Sequence, residues 1–450
     1  MLLSQALRIR RKETVAFVGA GGKTTAMFRL ADELVAAGWR VVVTTTTKLY
    51  TAQAKAAPRW LHAPELDALL HALPDQLRSG SPLFVSRTAP VGAKTTGIPL
   101  EWVAPIIALP DVDALLIEAD GARGRLLKAP APHEPVIPTC TTLVVPVIGI
   151  DVVGHTLNPD RVHRIQQVVH LTGLRPGDVV TPTAVATVLG HPQGGCKNVP
   201  PGARVVPLVN RVAGLALLLA AQEIAEQTLK HARIAGVCLG NVEADDPVQE
   251  IHERVAGIVL AAGGSARFGG TVVKQLLPWG GNTLVGHVVA RAQGANLTPI
   301  VVVTGRAMDR VQAAVAPRRV HIVHNPHWRH GQSSSIRIGL QALAYQPPVG
   351  AAIFILADQP RISPELIQAL IERHSRTLAS IVVPVHAGQR GNPVLFDHDL
   401  FEDLMALKGD VGGRVLMNRY ADQVEELPWP EDVSQDIDTP DDYARALGQE

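Results

Sequence analysis

Short apolar runs alternate with amphipathic segments along most of the chain. Runs at 14–18, 142–148 and 351–356 have the length and composition of buried strands. Between 27 and 35, apolar residues instead recur at spacings of three and four, which is typical of a helix with one buried face. Strands that alternate with helices in this way predict mainly parallel sheets covered by helices on both faces. The predicted fold class is therefore α/β.

The pattern also divides into two parts. With 450 residues, the chain exceeds what one typical core needs, so about two or three domains are expected. A charged segment around Pro247 separates two halves whose loop sequences differ. We predict a P-loop-like parallel-sheet domain at 1–246 and a Rossmann-like domain at 247–450.

Composition and charge limit the classes of function. The net charge is +1, so neither nucleic acid nor an anionic membrane is expected as a partner. The three cysteines lie far apart and form no CxxC pair, which argues against a disulfide framework or a zinc ribbon. The N-terminus lacks the order of a secretory signal, and no apolar run approaches the roughly 18 residues of a membrane span. We therefore predict a cytoplasmic protein.

The first candidate site is the sequence GAGGKTT at 19–25, which precedes the amphipathic helix. A strand, a glycine loop ending in Lys-Thr and a helix form the arrangement of a P-loop, in which Lys23 would bind phosphates and Thr24 would bind Mg²⁺. Phe17 occupies the first glycine position of the full GxxxxGK[ST] pattern, and an ordinary strand–helix turn is the alternative. The ligand would be ATP or GTP, and the candidate nucleotide-binding residues are Gly19, Gly21, Gly22, Lys23, Thr24 and Thr25.

Two acids follow one another at the end of a later apolar strand. Glu118 and Asp120 alternate with Ala119, so both side chains would point to the same side of the strand. Together with Thr24, these acids are candidates for a metal site in the first domain. The alternative is a pair of solvated carboxylates.

The second candidate site begins where the apolar run 258–260 opens into AAGGSARFG at 261–269 and continues to Lys274. Glycines expose backbone N–H groups to a ligand, and Arg267 and Lys274 add positive charge, which suits the phosphates of a nucleoside triphosphate. A plain glycine-rich turn is the alternative. Three serines at 333–335 are expected to begin a helix and to present hydroxyls to a ligand. The candidate nucleotide-binding residues are Leu260, Ala261, Ala262, Gly263, Gly264, Ser265, Lys274, Thr304, Ser333, Ser334 and Ser335.

An aspartate directly follows the buried run 351–356. Asp358 is predicted to anchor Mg²⁺ at the carboxyl end of that strand, where α/β sheets bind ligands. Asp436 and Asp438 are expected on one side of a short strand, where they would complete the metal site. Catalysis would depend on positioning and charge neutralisation. The candidate catalytic residues are Lys274, Arg267 and Asp358.

The first half of the chain resembles the YqeC-type accessory proteins linked to selenium-dependent molybdenum hydroxylases. The likeness rests on GAGGKTT at 19–25, TTTTK at 44–48, and EADGARG with LKAPAPHEP within 118–135, and it covers roughly residues 10–245. The resemblance implies a nucleotide-binding accessory role in the maturation of molybdenum hydroxylases. A hydroxylase apoprotein would then be a partner.

The second half resembles the MocA-type cytidylyltransferases of molybdenum cofactor, which are MobA-like NTP transferases. The likeness rests on the glycine loop together with NPHWRHGQSSS, ADQP, GQRGNPVLF, GDVGGR and DIDTPDDY. It implies transfer of CMP from CTP to molybdenum cofactor (molybdopterin), with release of pyrophosphate. Guanylyl-transferring relatives usually have LAGG and GPLAG, whereas this chain has LAAGG and GQSSS, which favours CTP over GTP.

Two alternatives to this function are kept open. One is a nucleotidyltransferase for a sugar phosphate or another alcohol phosphate, which would use the same loop, lysine and aspartate. The other is a carrier or insertion chaperone for finished cofactor, with the first domain as its NTPase switch. The complete set of Lys274, Asp358 and Asp438 argues against a purely binding role.

Overall fold

A computed structural model of the protein describes residues 1–50, 59–89, 94–264, 268, 272–433 and 435–448. The chain forms two compact units, Met1–His252 and Glu253–Glu450, and both are α/β with mainly parallel sheets. The division lies a few residues beyond position 247, because the strand Val248–Glu253 belongs to the sheet of the first unit. Within the described residues, no helix is both long enough and apolar enough to cross a membrane.

The first unit contains the following elements. Its strands are β1 (Glu13–Gly19), β2 (Val41–Thr45), β3 (Lys48–Tyr50), β4 (Arg59–His62), β5 (Leu83–Ser86), β6 (Lys94–Thr96), β7 (Ala114–Glu118), β8 (Leu127–Lys128), β9 (Leu143–Gly149), β10 (Val162–His163), β11 (Arg204–Val205), β12 (Leu208–Asn210), β13 (Gly236–Gly240) and β14 (Val248–Glu253). Its helices are α1 (Leu3–Ala6), α2 (Lys23–Ala36), α3 (Leu66–Leu77), α4 (Val103–Ala108), α5 (Ile165–Thr172), α6 (Pro182–Gly190) and α7 (Leu215–Thr228). Short 3₁₀ turns lie at Leu100–Trp102 and Ile150–Val152.

Strand β1 is central to the main sheet of the first unit. It pairs in parallel with β7 on one side and with β9 on the other. The order across the sheet is β14-β13-β12-β9-β1-β7-β2-β5-β4, and β11 also pairs with β9. Because β1, β7, β9 and β12 run parallel, their carboxyl ends at Gly19, Glu118, Gly149 and Asn210 lie at one edge of the sheet.

Helix α2 follows β1 and has the buried face that the apolar spacing at 27–35 predicts. Its buried residues Met27, Leu30 and Leu34 fall at spacings of three and four, so one face of the helix is removed from water. Burial of each such side chain stabilises the fold by about 1.5–3 kcal/mol. The helix begins at Lys23, directly after the glycine loop, and therefore presents its first turn to the carboxyl edge of the sheet.

The second unit contains the remaining elements. Its strands are β15 (Val255–Ala261), β16 (Pro278–Trp279), β17 (Asn282–Thr283), β18 (Ile300–Thr304), β19 (His321–His324), β20 (Ala351–Leu356), β21 (Ile381–His386), β22 (Gln389–Arg390), β23 (Val394–Asp397) and β24 (Val424–Pro428). Its helices are α8 (Leu284–Gly294), α9 (Met308–Val315), α10 (Gln332–Leu343), α11 (Pro364–Thr377), α12 (Phe401–Ala406), α13 (Arg414–Arg419) and α14 (Pro440–Leu447). Its 3₁₀ turns are Lys274–Leu276, Trp328–His330, His398–Leu400 and Ala421–Gln423.

Strand β15 has the same central position in the second unit. The sheet order is β19-β18-β15-β20-β23-β21-β22, with β24 paired to β21. Strands β18 and β20 flank β15 in parallel, whereas β23 runs antiparallel to β20. The carboxyl ends of the three parallel strands, at Ala261, Thr304 and Leu356, therefore meet at one edge. Apolar clusters on both faces of the sheet bury these strands under helices.

Candidate functional sites

In the first unit, the loop between β1 and α2 lies close to neighbouring backbone. Gly19, Gly21 and Gly22 have φ angles of 93°, 79° and 120°, a region that favours glycine. A Cβ on Gly21 would lie 2.0 Å from the nitrogen of Gly149, and one on Gly19 would lie 2.5 Å from the oxygen of Val147. These two glycines are therefore required for packing the loop against β9.

Two of the glycines predicted to bind nucleotide use their N–H groups within the protein. Gly19 donates to the Asp120 carboxylate over 3.1 Å, and Gly21 donates to the Arg125 carbonyl over 2.9 Å. In this structure, the N–H groups of these two glycines are therefore not open to a phosphate. Gly21 still lines the cavity described below, whereas Gly19 does not.

The start of α2 faces this cavity. Gly22, Lys23, Thr24 and Thr25 all line it. The N–H groups in the first turn of an α-helix have no intrahelical acceptor, so they leave a partial positive charge at that end. With Gly21, five of the six predicted nucleotide-binding residues thus line a surface suited to an anion.

Lys23 is held by a buried network of charges. Its Nζ donates to the Gly19 carbonyl over 2.8 Å and lies 3.3 Å from Asp120 Oδ1. Asp120 also accepts from the buried Lys128 over 2.8 Å, and Lys128 in turn pairs with Glu134 over 2.9 Å. Asp120 is thus neutralised by two lysines and does not line the cavity, so the structure does not place it as a metal ligand.

Glu118 and Thr24 do come together as predicted for a metal site. The Thr24 hydroxyl donates to Glu118 Oε2 over 2.6 Å, and both residues line the cavity. Burial raises the pKa of Glu118, and the nearby Lys23 ammonium acts in the opposite direction. The Glu118 carboxylate at the end of β7 and the Thr24 hydroxyl in the first turn of α2 are oxygen ligands of the kind that Mg²⁺ prefers.

The cavity that the start of α2 faces has a volume of about 630 Å³, and we call it the first cavity. Its charged side chains are the cations Lys23, Arg123, Arg125, Arg164 and Arg211, and the carboxylates Glu118 and Glu134. Arg164 forms two hydrogen bonds of 3.0 Å with Glu134, and Arg211 pairs with Asp151 over 2.7 Å. Burial alone would raise the pKa of Glu134, but hydrogen bonds from Arg164 and Lys128 outweigh burial and lower it to about 2.

In the second unit, Lys274 joins two carboxylates at the carboxyl edge of the sheet. Its buried Nζ lies 2.6 Å from Asp358 Oδ2 and 3.1 Å from Asp438 Oδ1. Burial acts to lower the pKa of Lys274, but the attraction of Asp358 and Asp438 outweighs it and raises the pKa. The predicted convergence of these three residues is present, and the two carboxylates remain partly exposed, at 24% and 41%.

Asp436 takes a different position from the one expected. Residues 435–438 form no strand, and the Ile437 N–H donates to the Asp358 carbonyl over 3.1 Å. Asp436 Oδ1 accepts from Gln359 Nε2 over 2.7 Å, and Asp436 does not line the cavity that Asp438 lines. Burial, and after it repulsion from Asp358, raises the pKa of Asp436.

A cavity of about 880 Å³, the second cavity, opens above this cluster. Of the predicted residues, it is lined by Leu260, Ala262, Gly263, Gly264, Lys274, Ser335, Asp358 and Asp438. Lining residues outside the predicted site set are Phe268, Gln275, Trp328, Arg329, His330, Gly331, Gln332, Leu356, Ala357 and Asp410. Six of these, at 328–332 and 410, belong to the motifs NPHWRHGQSSS and GDVGGR. Five of the six are polar or aromatic, and Gly331 is the exception, so the polar and aromatic positions of those motifs are the signal for the other five.

The three serines have mainly structural contacts. Helix α10 begins at Gln332, so the serines lie inside its first turn rather than before it. The Ser333 hydroxyl donates to the Gly409 carbonyl over 2.6 Å, and the Ser334 hydroxyl donates to the Gly331 carbonyl over 2.8 Å. Ser333 and Ser334 do not line the second cavity, whereas Ser335, whose hydroxyl accepts from Asn325 Nδ2 over 2.9 Å, does.

Two other predicted residues are buried away from the second cavity, and two lie in a part of the loop that the structure does not describe. Thr304 is buried and donates its hydroxyl to the Val323 carbonyl over 3.1 Å, so it does not line the second cavity. Ala261 is buried as the last residue of β15 and does not line it either. Ser265 and Arg267 lie outside the described residues.

Trp328 lies against the glycine loop. A Cβ on Gly264 would lie 2.6 Å from the Trp328 ring, and a Cβ on Gly305 would lie 3.0 Å from it. The guanidinium carbon of Arg329 lies 5.0 Å from the centre of the same ring, a distance typical of a cation–π contact. The loop and the indole therefore form adjoining walls of the second cavity.

The second unit thus combines an α/β fold with a glycine loop after the central strand, a buried lysine, and two carboxylates that contact this lysine. In comparison with known families, residues 257–424 match the MobA-like NTP transferase domain and residues 15–166 match the YqeC protein family. The chain belongs to the YqeC family through its first half and carries a MobA-like NTP transferase domain, a nucleotidyltransferase domain, in its second half.

Individual relatives match one half each. Over 237 residues, the chain is 34% identical to the uncharacterized protein YqeC of Escherichia coli K12, covering 52% of this chain and 89% of that protein. It is 29% identical over 201 residues to the nicotine blue oxidoreductase of Paenarthrobacter nicotinovorans, covering 43% and 96%. The crystal structure of Rv0371c from Mycobacterium tuberculosis H37Rv is 30% identical, with a TM-score of 0.39, and covers 43% of this chain and 98% of that one.

Proposed function

We propose that the second unit transfers CMP from CTP to the terminal phosphate of molybdenum cofactor. A phosphate oxygen of the cofactor attacks the α-phosphorus of CTP, the bond from that phosphorus to the bridging oxygen breaks, and pyrophosphate leaves. The observation that carries the proposal is the contact of Lys274 with Asp358 and Asp438 at the wall of the second cavity.

The residues of the second cavity fit a bound Mg²⁺. Asp358 and Asp438 both line the cavity, and carboxylate oxygens are the ligands this ion prefers. When bound, Mg²⁺ supplies neutralisation of charge on the phosphates. Lys274 would orient the triphosphate and offset the charge that grows on departing pyrophosphate. The backbone of Ala262–Gly264 would hold the phosphates close to Lys274.

The choice of CTP and of the acceptor rests on sequence. LAAGG and GQSSS resemble the cytidylyl-transferring relatives, and these segments lie on two walls of the second cavity. A transferase for a sugar phosphate or another alcohol phosphate is the first alternative. The relative named nicotine blue oxidoreductase suggests a redox activity, but a lysine between two carboxylates favours phosphoryl chemistry.

The first unit would bind ATP or GTP and serve the maturation of molybdenum hydroxylases, with a hydroxylase apoprotein as its partner. Support comes from the start of α2 with Lys23, Thr24 and Glu118 at the first cavity. If the first unit is instead the NTPase switch of a cofactor carrier, the chain would bind molybdenum cofactor without turning over CTP.

The test is pyrophosphate release by the full-length chain with Mg²⁺, molybdenum cofactor and each of four nucleoside triphosphates. We expect release with CTP that depends on the acceptor. Equal release from GTP would contradict the choice of base, and release with a sugar phosphate in place of the cofactor would support the first alternative. Cofactor that copurifies without any turnover would support the carrier.

A further inference from the structure

Two arginines at the first cavity have no assigned role. Arg123 and Arg125 both line the cavity, and Arg123 is exposed while Arg125 is half-buried. In the described part of the chain, neither guanidinium group has a hydrogen bond or an ion pair. The other two arginines of the cavity are paired, Arg164 with Glu134 and Arg211 with Asp151. Arg123 and Arg125 are therefore available to an anionic ligand.

The wall formed by α2 also carries positive charge. The first turn of this 14-residue helix presents N–H groups without intrahelical acceptors, and Lys23 lies at its beginning. Counted over the described lining residues, five cationic side chains face the first cavity against two carboxylates. An excess of cations of this size suits a ligand with several negative charges.

The same lining offers little to a nucleobase. Pockets that recognise a ring system are usually lined by apolar and aromatic side chains. Among the described residues that line the first cavity there is no Phe, Tyr or Trp; its ring side chain is the imidazole of His163, and its apolar side chains are Ala122 and Leu126. Recognition would thus come from the charged part of a ligand.

We propose that the first cavity is a polyphosphate site, which binds a nucleoside triphosphate by its phosphates between the start of α2 and Arg123 and Arg125, with little selectivity for the base. The inference rests on the proposed nucleotide binding by the first unit and specifies what that site recognises. Arginine suits this position because its planar donors bind two phosphate oxygens at once.

The experiment is calorimetric titration of the full-length chain with inorganic tripolyphosphate, ATP and GTP. All variants would carry Lys274→Ala, which weakens phosphate binding at the second cavity. We expect the three dissociation constants to agree within about tenfold. Arg123→Ala and Arg125→Ala should each raise the dissociation constants of all three ligands by about tenfold or more, since each substitution removes charge-assisted hydrogen bonds. Arg125→Lys should lose less affinity than Arg125→Ala.

The matched control is Arg175→Ala, which removes an exposed arginine of the same unit that does not line the first cavity. Its affinities should equal those of the parent chain. Binding of ATP or GTP on the order of 100-fold tighter than tripolyphosphate would overturn the inference while leaving nucleotide binding intact. Unchanged affinity in both arginine-to-alanine variants would also overturn it. If none of the three ligands binds, nucleotide binding by the first unit is refuted as well.

Discussion

The two cavities use similar residues at equivalent places in their sheets. Each lies at the carboxyl edge of a parallel sheet, beside a glycine loop that follows the central strand. Each contains a buried lysine near two carboxylates: Lys23 with Asp120 and Glu118, and Lys274 with Asp358 and Asp438. From the sequence alone, each group of one lysine and two carboxylates predicts a site for phosphate and a metal ion.

The two sites differ in how far the side chains of their carboxylates are exposed. The side chains of Asp120 and Glu118 are only 2% and 8% exposed, and Asp120 is shared with a second lysine, Lys128. Asp358 and Asp438 are 24% and 41% exposed and line the second cavity. In the first unit, Asp120 is therefore bound within the protein and the cations face the cavity, whereas in the second unit the carboxylates themselves are accessible.

The largest effect is expected from Asp120→Asn. The substitution leaves Lys23 and Lys128 in a buried position without their shared anion, and breaking a buried ion pair costs about 3–5 kcal/mol. Asp438→Asn is the matched variant in the second unit and should change the free energy of unfolding by less than about 1 kcal/mol, because Asp438 is partly exposed. Denaturant titration measures both. Equal losses in the two variants would remove the distinction between the sites.

Asp358→Asn should lower the rate of pyrophosphate release on the order of 100-fold or more, comparable with the loss of one preorganised electrostatic group. The variant keeps the shape of the side chain, and Lys274 keeps its contact with Asp438, so the thermal unfolding midpoint should hardly change. Asp436→Asn is the control, and its loss should stay below about tenfold, because Asp436 bonds to Gln359 outside the cavity lining. Near-normal turnover of Asp358→Asn at saturating Mg²⁺ would show that Asp358 is not a metal ligand.

Replacing a glycine by alanine should lower the free energy of unfolding more in the loop of the first unit than in the loop of the second. Gly21→Ala places a Cβ 2.0 Å from backbone at a φ of 79°, so we expect a loss of about 1–3 kcal/mol in the free energy of unfolding. Gly263→Ala meets only the end of the Gln275 side chain at 3.2 Å and should cost less than about 1 kcal/mol. The reverse order would mean that the loop of the second unit is the more tightly packed one.

The buried charges should also make the stability of the first unit sensitive to acid. The pKa of Glu134 falls from 4.5 to about 2 on folding, so its ionised form stabilises the folded state. This contribution is fully present above pH 4.5 and is lost as the pH falls towards 2. Glu134→Gln should lower stability at neutral pH and should flatten the pH dependence in this range. An unchanged acid profile in thermal unfolding would contradict the assignment.

The sequence allowed the fold class and part of each site to be predicted. The position of Asp358 at the carboxyl edge of the sheet follows from the alternation of strands and helices, because Asp358 comes just after the parallel strand β20. Lys274 and Asp438 lie outside the strands and reach Asp358 through a 3₁₀ turn and through the segment before α14. The pairing of Asp120 with Lys128 was not predictable, because it depends on the path of the loop after β7. The same holds for Ser333 and Ser334, whose hydroxyls are bound by carbonyl groups on nearby loops.

The most direct test of the transferase follows the α-phosphorus of CTP. The full-length chain would be incubated with molybdenum cofactor, Mg²⁺ and CTP that carries a radiolabel on either the α- or the γ-phosphorus. The account predicts that the α-label enters the cofactor and that the γ-label leaves as pyrophosphate. Release of the γ-label as orthophosphate, with no α-label in the cofactor, would contradict it.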